Sequence, residues 1–373
     1  MTIGTMSLSA TRGWHRPLMA HATLMFALAA VSAVGLFVDD RLLMGESVWM
    51  KPMKFGFAMG VYGLTLAWLL SKLNKGRRIG WWLGTVFAVA GLMDVAAVAY
   101  AAAHGTFSHF NDNTDPVART VQTVFSIGVM PLLLTTLVIA ILALIQHTGD
   151  LAATRALRAG LGLAVASMAV ALWLSGPSGE SPRTVTDANG HPVSMAGGHG
   201  IGDPDGHGMP VTNWSTTGGD LRVPHFIGLH AIHVLLLLTA VLRVLATGRG
   251  WLCDQRVRAR LVGVAGLGYT GVFTVLSWQA KRGQSVIHPD RQTLTAFAGV
   301  TVLTLVTAVV VIIAARRRSE PPTAERQRDD VPSIPTRWTA TGSRSQDPPD
   351  QVRGSAADRA RRSAGQFDGM ACP

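Results

Sequence analysis

The chain has 373 residues, of which 48% are hydrophobic and only 15% charged, a composition too apolar for an ordinary soluble protein. The apolar residues occur in runs of about 20, the length that an α-helix needs to cross a bilayer. The formal net charge is +11, but the basic residues lie in short clusters between these runs and in the C-terminal tail. This distribution excludes a basic nucleic-acid-binding domain.

Eight apolar runs follow one another along the chain, and each is free or nearly free of charge. They cover residues 17–38, 52–71, 79–102, 121–146, 159–176, 224–246, 259–280 and 293–315. Because hydrocarbon offers no hydrogen bonds to the backbone, a spanning run must be helical. We therefore predict an all-α fold, a polytopic transmembrane bundle of eight helices, with no evident repeat between its halves.

Lysine and arginine predict the orientation of the bundle. Their clusters alternate between the runs so that nearly all fall on one side, which the positive-inside rule assigns to the cytoplasm. Both termini, residues 1–16 and 316–373, are then cytoplasmic. The polar composition of residues 316–373 predicts a disordered tail. Residues 177–223 form a long outside loop rich in histidine and glycine, whose glycine and proline content argues against regular structure.

Asp94 is the only acidic residue well inside a predicted span, where an unpaired carboxylate is costly. Helices two and three are joined by a turn, and Lys54 lies 21 residues before the centre of that turn. Asp94 lies 19 residues after it. At about 1.5 Å per residue the two differ in depth by only about 3 Å, so they can meet. Two interpretations follow: an ion pair that fixes the hairpin, or a polar cavity in which Lys54 tunes Asp94 for proton or cation coupling.

A second candidate site lies at the start of helix two. Pro52 suits the first helical position, so Lys51 and Lys54 lie at a helix N-terminus, where free backbone N–H groups and the macrodipole favour an anion. The two lysines are therefore a candidate anion site. The possible anions are a lipid phosphate, an acidic substrate or, the favoured choice, a carboxylate of the preceding loop, namely Asp39, Asp40 or Glu46.

Histidine supplies a third pattern, in helix six. His225 lies at its outer end, and His230 and His233 share one face about 9 and 13 Å further in. Buried histidines serve as metal or haem ligands or as proton relays, or they hydrogen-bond across helices. His104 and His109, after helix three, are the nearest facing residues. The five together are candidate ligands for haem or a transition metal, and the sequence alone assigns no cofactor.

Motifs of familiar enzymes are absent. The chain has no P-loop, GxSxG elbow, HExxH or CxxC. It also has no Rossmann fingerprint with a following helix, since glycine pairs such as that in GLGY lie inside an apolar run, where glycine serves helix packing, so no catalytic residue is predicted. The stretches VWMKPMKFGF, GTFSHFN, NWSTTGGDLRVPHFIGLHAIH and SWQAKRGQSVIHPD together resemble a group of uncharacterised bacterial integral membrane proteins. The resemblance covers helices two to seven and their outside loops, implies a protein of the bacterial inner membrane, and carries no activity.

Three functions are compatible with these patterns. The first is an outward-facing polar site, lined by Lys54, Asp94, His230 and His233, that binds or transports a small solute, a proton or a metal cation. The second is a non-catalytic component of the membrane or of envelope assembly. The third is a membrane redox protein in which histidine holds haem or copper. Membrane lipid is the one partner that the composition predicts.

Overall fold

A computed structural model of the chain describes residues 13–147, 149–174, 182–203 and 208–319. In this part of the chain eight helices are long and apolar enough to cross a membrane, which confirms the predicted transmembrane bundle. They are α1 (Arg16–Val38), α2 (Met50–Ser71), α3 (Arg77–Ala103), α4 (Pro116–Leu144), α5 (Leu151–Leu174), α6 (Arg222–Ala246), α7 (Gln255–Lys281) and α8 (Arg291–Ser319). The predicted disordered tail lies, beyond Ser319, outside the described residues.

The observed helices extend past the predicted spans at most ends, and the difference is largest at the start of α5. Basic residues interrupt the apolar run there, so hydropathy alone predicts a start at residue 159. The helix begins at Leu151 because Asp150 accepts a hydrogen bond from the backbone N–H of Ala153 at 2.8 Å, as a helix cap does. Arg155 remains inside the helix because it donates to the Ala259 carbonyl of α7 at 2.8 Å.

The two halves of the bundle pack in the same order. α1 packs on α2 and α3, α2 on α3, and α3 on α4; in the second half α5 packs on α6 and α7, α6 on α7, and α7 on α8, while α4 contacts α5. In each half, a glycine that follows a proline by four residues packs against the helix before it. Gly56 of α2, which follows Pro52, packs against α1, and Gly228 of α6, which follows Pro224, packs against α5. Because each half contains four crossing helices, the second half begins at the same end of the bundle as the first. The packing therefore has the character of a parallel repeat, which the sequence did not predict.

The bundle has an apolar interior and an apolar exterior. The largest buried cluster joins both halves, through Leu66 and Phe87 of the first half and Leu161 and Ile232 of the second. Large apolar side chains are exposed along α1 and α8, as a lipid-facing surface requires. The exposed positions of α8 include Val302, Leu303, Leu305, Val306, Val309, Val310 and Ile313.

Short antiparallel strands occur in the connections at one end of the bundle. β1 (Leu42–Leu43) pairs with β2 (Glu46–Ser47) before α2; β3 (Arg183–Thr186) pairs with β4 (Pro192–Met195), and β5 (Gly200–Ile201) with β6 (Gly219–Asp220), before α6. The expectation of no regular structure in the long loop is therefore wrong. The alternating sequence Thr184–Thr186, followed by a turn with Gly190 at φ 84°, forms a hairpin despite the surrounding glycines.

Candidate functional site

Helices α2, α4, α6 and α8 all begin at the same end of the bundle, which we call the loop end. The β1–β2 hairpin lies there and turns through Met44 and Gly45, which both have positive φ (49° and 80°), as in a type I′ turn. This tight turn returns Glu46 to the start of α2, where it accepts a hydrogen bond from Lys54 Nζ at 2.8 Å. The loop carboxylate that the sequence favours is present for Lys54, whereas Lys51 has no carboxylate within ion-pair distance among the described residues. The predicted pair of Lys54 with Asp94 is not formed.

Lys51, one turn from Lys54, contacts an imidazole instead of a carboxylate. Its Nζ lies 3.1 Å from His109 Nδ1, and Ser108 Oγ lies 3.0 Å from the same nitrogen. Since a lysine ammonium can only donate, Nδ1 is the acceptor and the neutral ring carries its proton on Nε2. Phe125 packs against the His109 ring, with centroids 4.6 Å apart. Lys51 is thus directed into the loop end, away from bulk water.

Backbone hydrogen bonds hold the long loop over this end and carry His199 to His109. Ala196 N donates to the Phe110 carbonyl at 2.9 Å, and Leu221 N donates to the His199 carbonyl at 3.2 Å. The ring centroids of His199 and His109 are 6.2 Å apart, and Phe110 packs edge-on against His199 at 4.8 Å. His199 Nδ1 is buried and has no hydrogen-bond partner in the described part of the chain.

Arg222, at the start of α6, brings another cation to the loop end. Its Nε and Nη2 donate to the two oxygens of Asp220 at 3.0 and 2.6 Å. Asp220 also accepts from Ser215 N at 2.9 Å, and its side chain is only 1% exposed. The Arg222 charge is close enough to act on both Lys51 and His199. The starts of α2 and α6, the equivalent helices of the two halves, therefore meet in one site.

The charges of this site do not cancel. Lys54 is paired with Glu46, and Arg222 with Asp220. The described residues place no carboxylate within ion-pair distance of Lys51, and its close polar partner is His109. One basic side chain, that of Lys51, is therefore left without a carboxylate partner beneath the loop.

The two loop-end imidazoles are neutral at physiological pH. Burial lowers the pKa of His199 well below its usual value, and the nearby basic side chains of Arg222 and Lys51 lower it further. Burial, followed by the charge of Lys51, likewise lowers the pKa of His109. A neutral imidazole still has one N–H to donate. The site therefore combines the basic side chains of Lys51 and Arg222 with imidazole hydrogen-bond donors that carry no charge.

The five histidines predicted as metal ligands do not form one group. His104 is exposed, with its Nδ1 2.9 Å from a carbonyl one turn earlier in α3. His225 Nδ1 lies 2.8 Å from a carbonyl of α5. His230 and His233 lie deeper, with ring centroids 5.2 Å apart, and His109 is the partner of Lys51. No three His, Cys, Asp or Glu side chains in the described ranges are arranged to hold a metal ion.

Asp94 lies against α4, and its carboxylate fits there because residue 128 is glycine. A Cβ added at Gly128 would overlap Asp94 Oδ1, which is buried and has no hydrogen-bond partner among the described residues. In the described part of the chain, Lys54 forms its hydrogen bond and ion pair with Glu46 and not with Asp94. The reason is position: Glu46 is in a loop at the helix end, where an ion pair avoids the cost of burial in hydrocarbon.

Two residues of the site were not predicted from the sequence. The sequence around Arg222 could have identified it, because Arg222 lies two residues before Pro224 at a helix start, much as Lys51 lies before Pro52. His199 had no local signal that singled it out from the other loop histidines. Only tertiary hydrogen bonds bring it to His109.

These features define a polytopic helical membrane protein with a loop-covered basic site at one end of its bundle. The chain matches no protein-family model, no curated protein and no solved structure. Its function is therefore inferred from the geometry and charge of the site.

Proposed function

We propose that the protein binds and transports a small anionic solute, which enters at the loop end between Lys51, His109, His199 and Arg222. The observation that carries this proposal is the position of Lys51 beneath the loop with no described carboxylate within ion-pair distance. A partly buried cation without a counter-charge destabilises the protein unless an anion is present. The N-terminus of α2 lies at the same end, where the helix macrodipole also favours an anion.

The imidazoles give the proposed site selectivity as well as affinity. The unpartnered Nδ1 of His199 and the Nε2–H of His109, whose Nδ1 accepts from Lys51, can each donate a hydrogen bond to a bound oxyanion. Such neutral contacts favour a ligand with several oxygens, as in a carboxylate, sulfate or phosphate, over a halide ion. The solute is therefore proposed to be an oxyanion.

We further propose that the loop end faces the outside of a bacterial inner membrane, with both termini in the cytoplasm. Support comes from the opposite end, where Lys72, Lys75, Arg77 and Arg78 are all exposed, as the positive-inside rule expects of a cytoplasmic face. Support also comes from the resemblance to bacterial integral membrane proteins in helices two to seven. In this orientation the anion enters from outside the cell.

Sulfate binding to the purified protein in detergent tests the proposal, with isothermal titration calorimetry as the measurement. Lys51→Gln is expected to weaken binding by about 10- to 100-fold, because a hydrogen bond to a charged group contributes about 1.5–3 kcal/mol. Lys72→Gln removes the same charge at an exposed position of the opposite end and is expected to bind like the wild type. The proposal fails if the wild type binds none of sulfate, phosphate and succinate, or if Lys51→Gln binds as tightly.

Anion binding is also expected to strengthen as pH falls from about 8 to about 5. In the free protein burial and the neighbouring cations hold the pKa of His199 below its usual value. A bound anion opposes both effects, so the pKa rises on binding and protons are taken up. Sulfate is suitable because its own charge is constant over this range. Calorimetry in two buffers of different ionisation enthalpy measures the uptake, and proton release on binding would contradict this expectation.

A further inference from the structure

A row of rings lies deeper in the bundle than the anion site. Tyr62 of α2 and His233 of α6 face each other edge-on, with centroids 5.9 Å apart, and His230 lies 5.2 Å from His233. On the other side of Tyr62, Phe87 of α3 stacks at 5.7 Å, and His21 of α1 packs edge-on against Phe87 at 6.2 Å. The row therefore runs from α6 through α2 and α3 to α1.

The polar atoms of this row are buried and largely unpaired. Among the residues that the structure describes, no hydrogen bond of ordinary geometry reaches either ring nitrogen of His233, the Tyr62 hydroxyl or His21 Nε2, although backbone groups of Val61 and Met59 lie near His233 and His21, respectively. His21 Nδ1, by contrast, lies 3.1 Å from the Ala88 carbonyl. An unpaired buried polar atom destabilises a protein, and an apolar side chain of similar shape would avoid that cost. Four such atoms in one row indicate a role other than stability.

The row extends through most of the bundle. At about 1.5 Å per residue, His230 and His233 lie about 12 and 16 Å from the start of α6, and Tyr62 lies about 18 Å from the start of α2, all measured from the loop end. His21 lies only about 8 Å from the start of α1 at the opposite end. Protonatable groups thus follow one another from one side of the apolar region toward the other.

We propose that His233, Tyr62 and His21 carry protons through the bundle. His233 accepts a proton on one nitrogen and releases one from the other, and the tyrosine hydroxyl accepts on oxygen while it releases its own hydrogen; rotation of each group then restores its starting state. His21, whose Nδ1 faces the Ala88 carbonyl, takes up and releases its proton through Nε2. A single water molecule between the adjacent rings of His233 and Tyr62 would complete that step, whereas transfer from Tyr62 to His21 requires the Phe87 ring to move aside. Phe87 has no proton acceptor, so its ring is the barrier between Tyr62 and His21.

Proton flux into vesicles tests the relay. The protein is reconstituted with a pH-sensitive dye inside, and a potassium gradient with valinomycin drives protons inward in the absence of sulfate, so the result does not depend on the anion site. Wild-type vesicles are expected to acidify faster than protein-free vesicles. Tyr62→Phe and His233→Phe are each expected to lower the flux at least fivefold, whereas Phe87→Ala is expected to raise it.

Tyr269→Phe is the matched control, because it removes a tyrosine hydroxyl that donates to the Ile227 carbonyl and lies outside the row. The relay is refuted if wild-type vesicles conduct no better than protein-free ones, or if Tyr62→Phe lowers the flux no more than Tyr269→Phe. Thermal unfolding accompanies each assay. Since the Tyr62 hydroxyl has no partner to lose, Tyr62→Phe is expected to fold normally, and its unfolding would show a structural role and also refute the relay.

Discussion

Gly160→Ala is expected to lower the free energy of unfolding by about 2 kcal/mol or more, the cost of overpacking a close helix contact. Gly160 lies where α5 crosses α6, and a Cβ there would come within 2.8 Å of the Cβ and 2.9 Å of the backbone nitrogen of Ile232. Ile232 is fully buried, and backbone atoms cannot rotate away as a flexible side chain can. The two helices must separate, which also displaces Arg222 at the start of α6 and is expected to weaken anion binding.

Gly162→Ala provides the control on the same helix. Gly162 is exposed, and a Cβ there would meet no atom within 4 Å. Because alanine favours helix more than glycine does, this change is expected to be neutral or to stabilise by up to about 1 kcal/mol. Thermal unfolding in one detergent compares the two variants with the wild type. Equal stability of both variants would mean that α5 and α6 do not approach closely at residue 160.

Asp220→Ala is the second change with a large expected effect, a loss of about 3 kcal/mol in the free energy of unfolding. The Asp220 carboxylate is 1% exposed and accepts hydrogen bonds from Arg222 and from the backbone N–H of Ser215. Its removal leaves the guanidinium of Arg222 partly buried without a counter-charge. Chemical or thermal unfolding of the purified protein measures the loss.

The double variant Asp220→Ala/Arg222→Met separates the two contributions. If the cost arises from the unpaired cation, removal of Arg222 as well recovers part of the stability, and the double variant is more stable than Asp220→Ala alone. A double variant less stable than either single one would show that Arg222 stabilises the loop through other contacts. In that case Arg222 is a structural residue and its charge is not available to a ligand.

The sequence predicts the bundle well because hydropathy and charge act locally. Eight apolar runs give eight helices, and the errors concern ends such as that of α5, where Asp150 and Arg155 find specific partners that composition does not reveal. The long loop was predicted poorly for the same reason. Its hairpin depends on cross-strand pairing between Arg183 and Met195, which glycine content does not report.

The candidate site could be predicted only in part. Lys51 and Lys54 are identified by their place before and after Pro52, at the start of an apolar helix. The depth estimate for Lys54 and Asp94 considers one helical hairpin alone, so it cannot show that Glu46 competes for the lysine or that Asp94 turns toward Gly128. Contacts among α1, α2, α3 and α6, which form the row of rings, depend on tertiary packing and have no signature within one helix.

His225 connects the two proposed activities. It lies at the loop end of α6, five residues before His230 on the same helix, and close enough to His199 for a proton on His225 to act on the His199 imidazole. A proton that moves inward with an anion offsets part of its charge and so lowers the electrostatic cost of crossing the apolar region. The two proposals together describe proton-coupled uptake of an oxyanion.

The most direct measurement is the position of a bound anion. Selenate resembles sulfate in shape and charge, and its selenium can be located by anomalous scattering in crystals of the protein. We expect one selenate beneath the long loop, with an oxygen within hydrogen-bond distance of Lys51 Nζ and the ion between Lys51, His199 and Arg222. Selenate bound only elsewhere, with the loop end unoccupied at a saturating concentration, would contradict the proposed anion site.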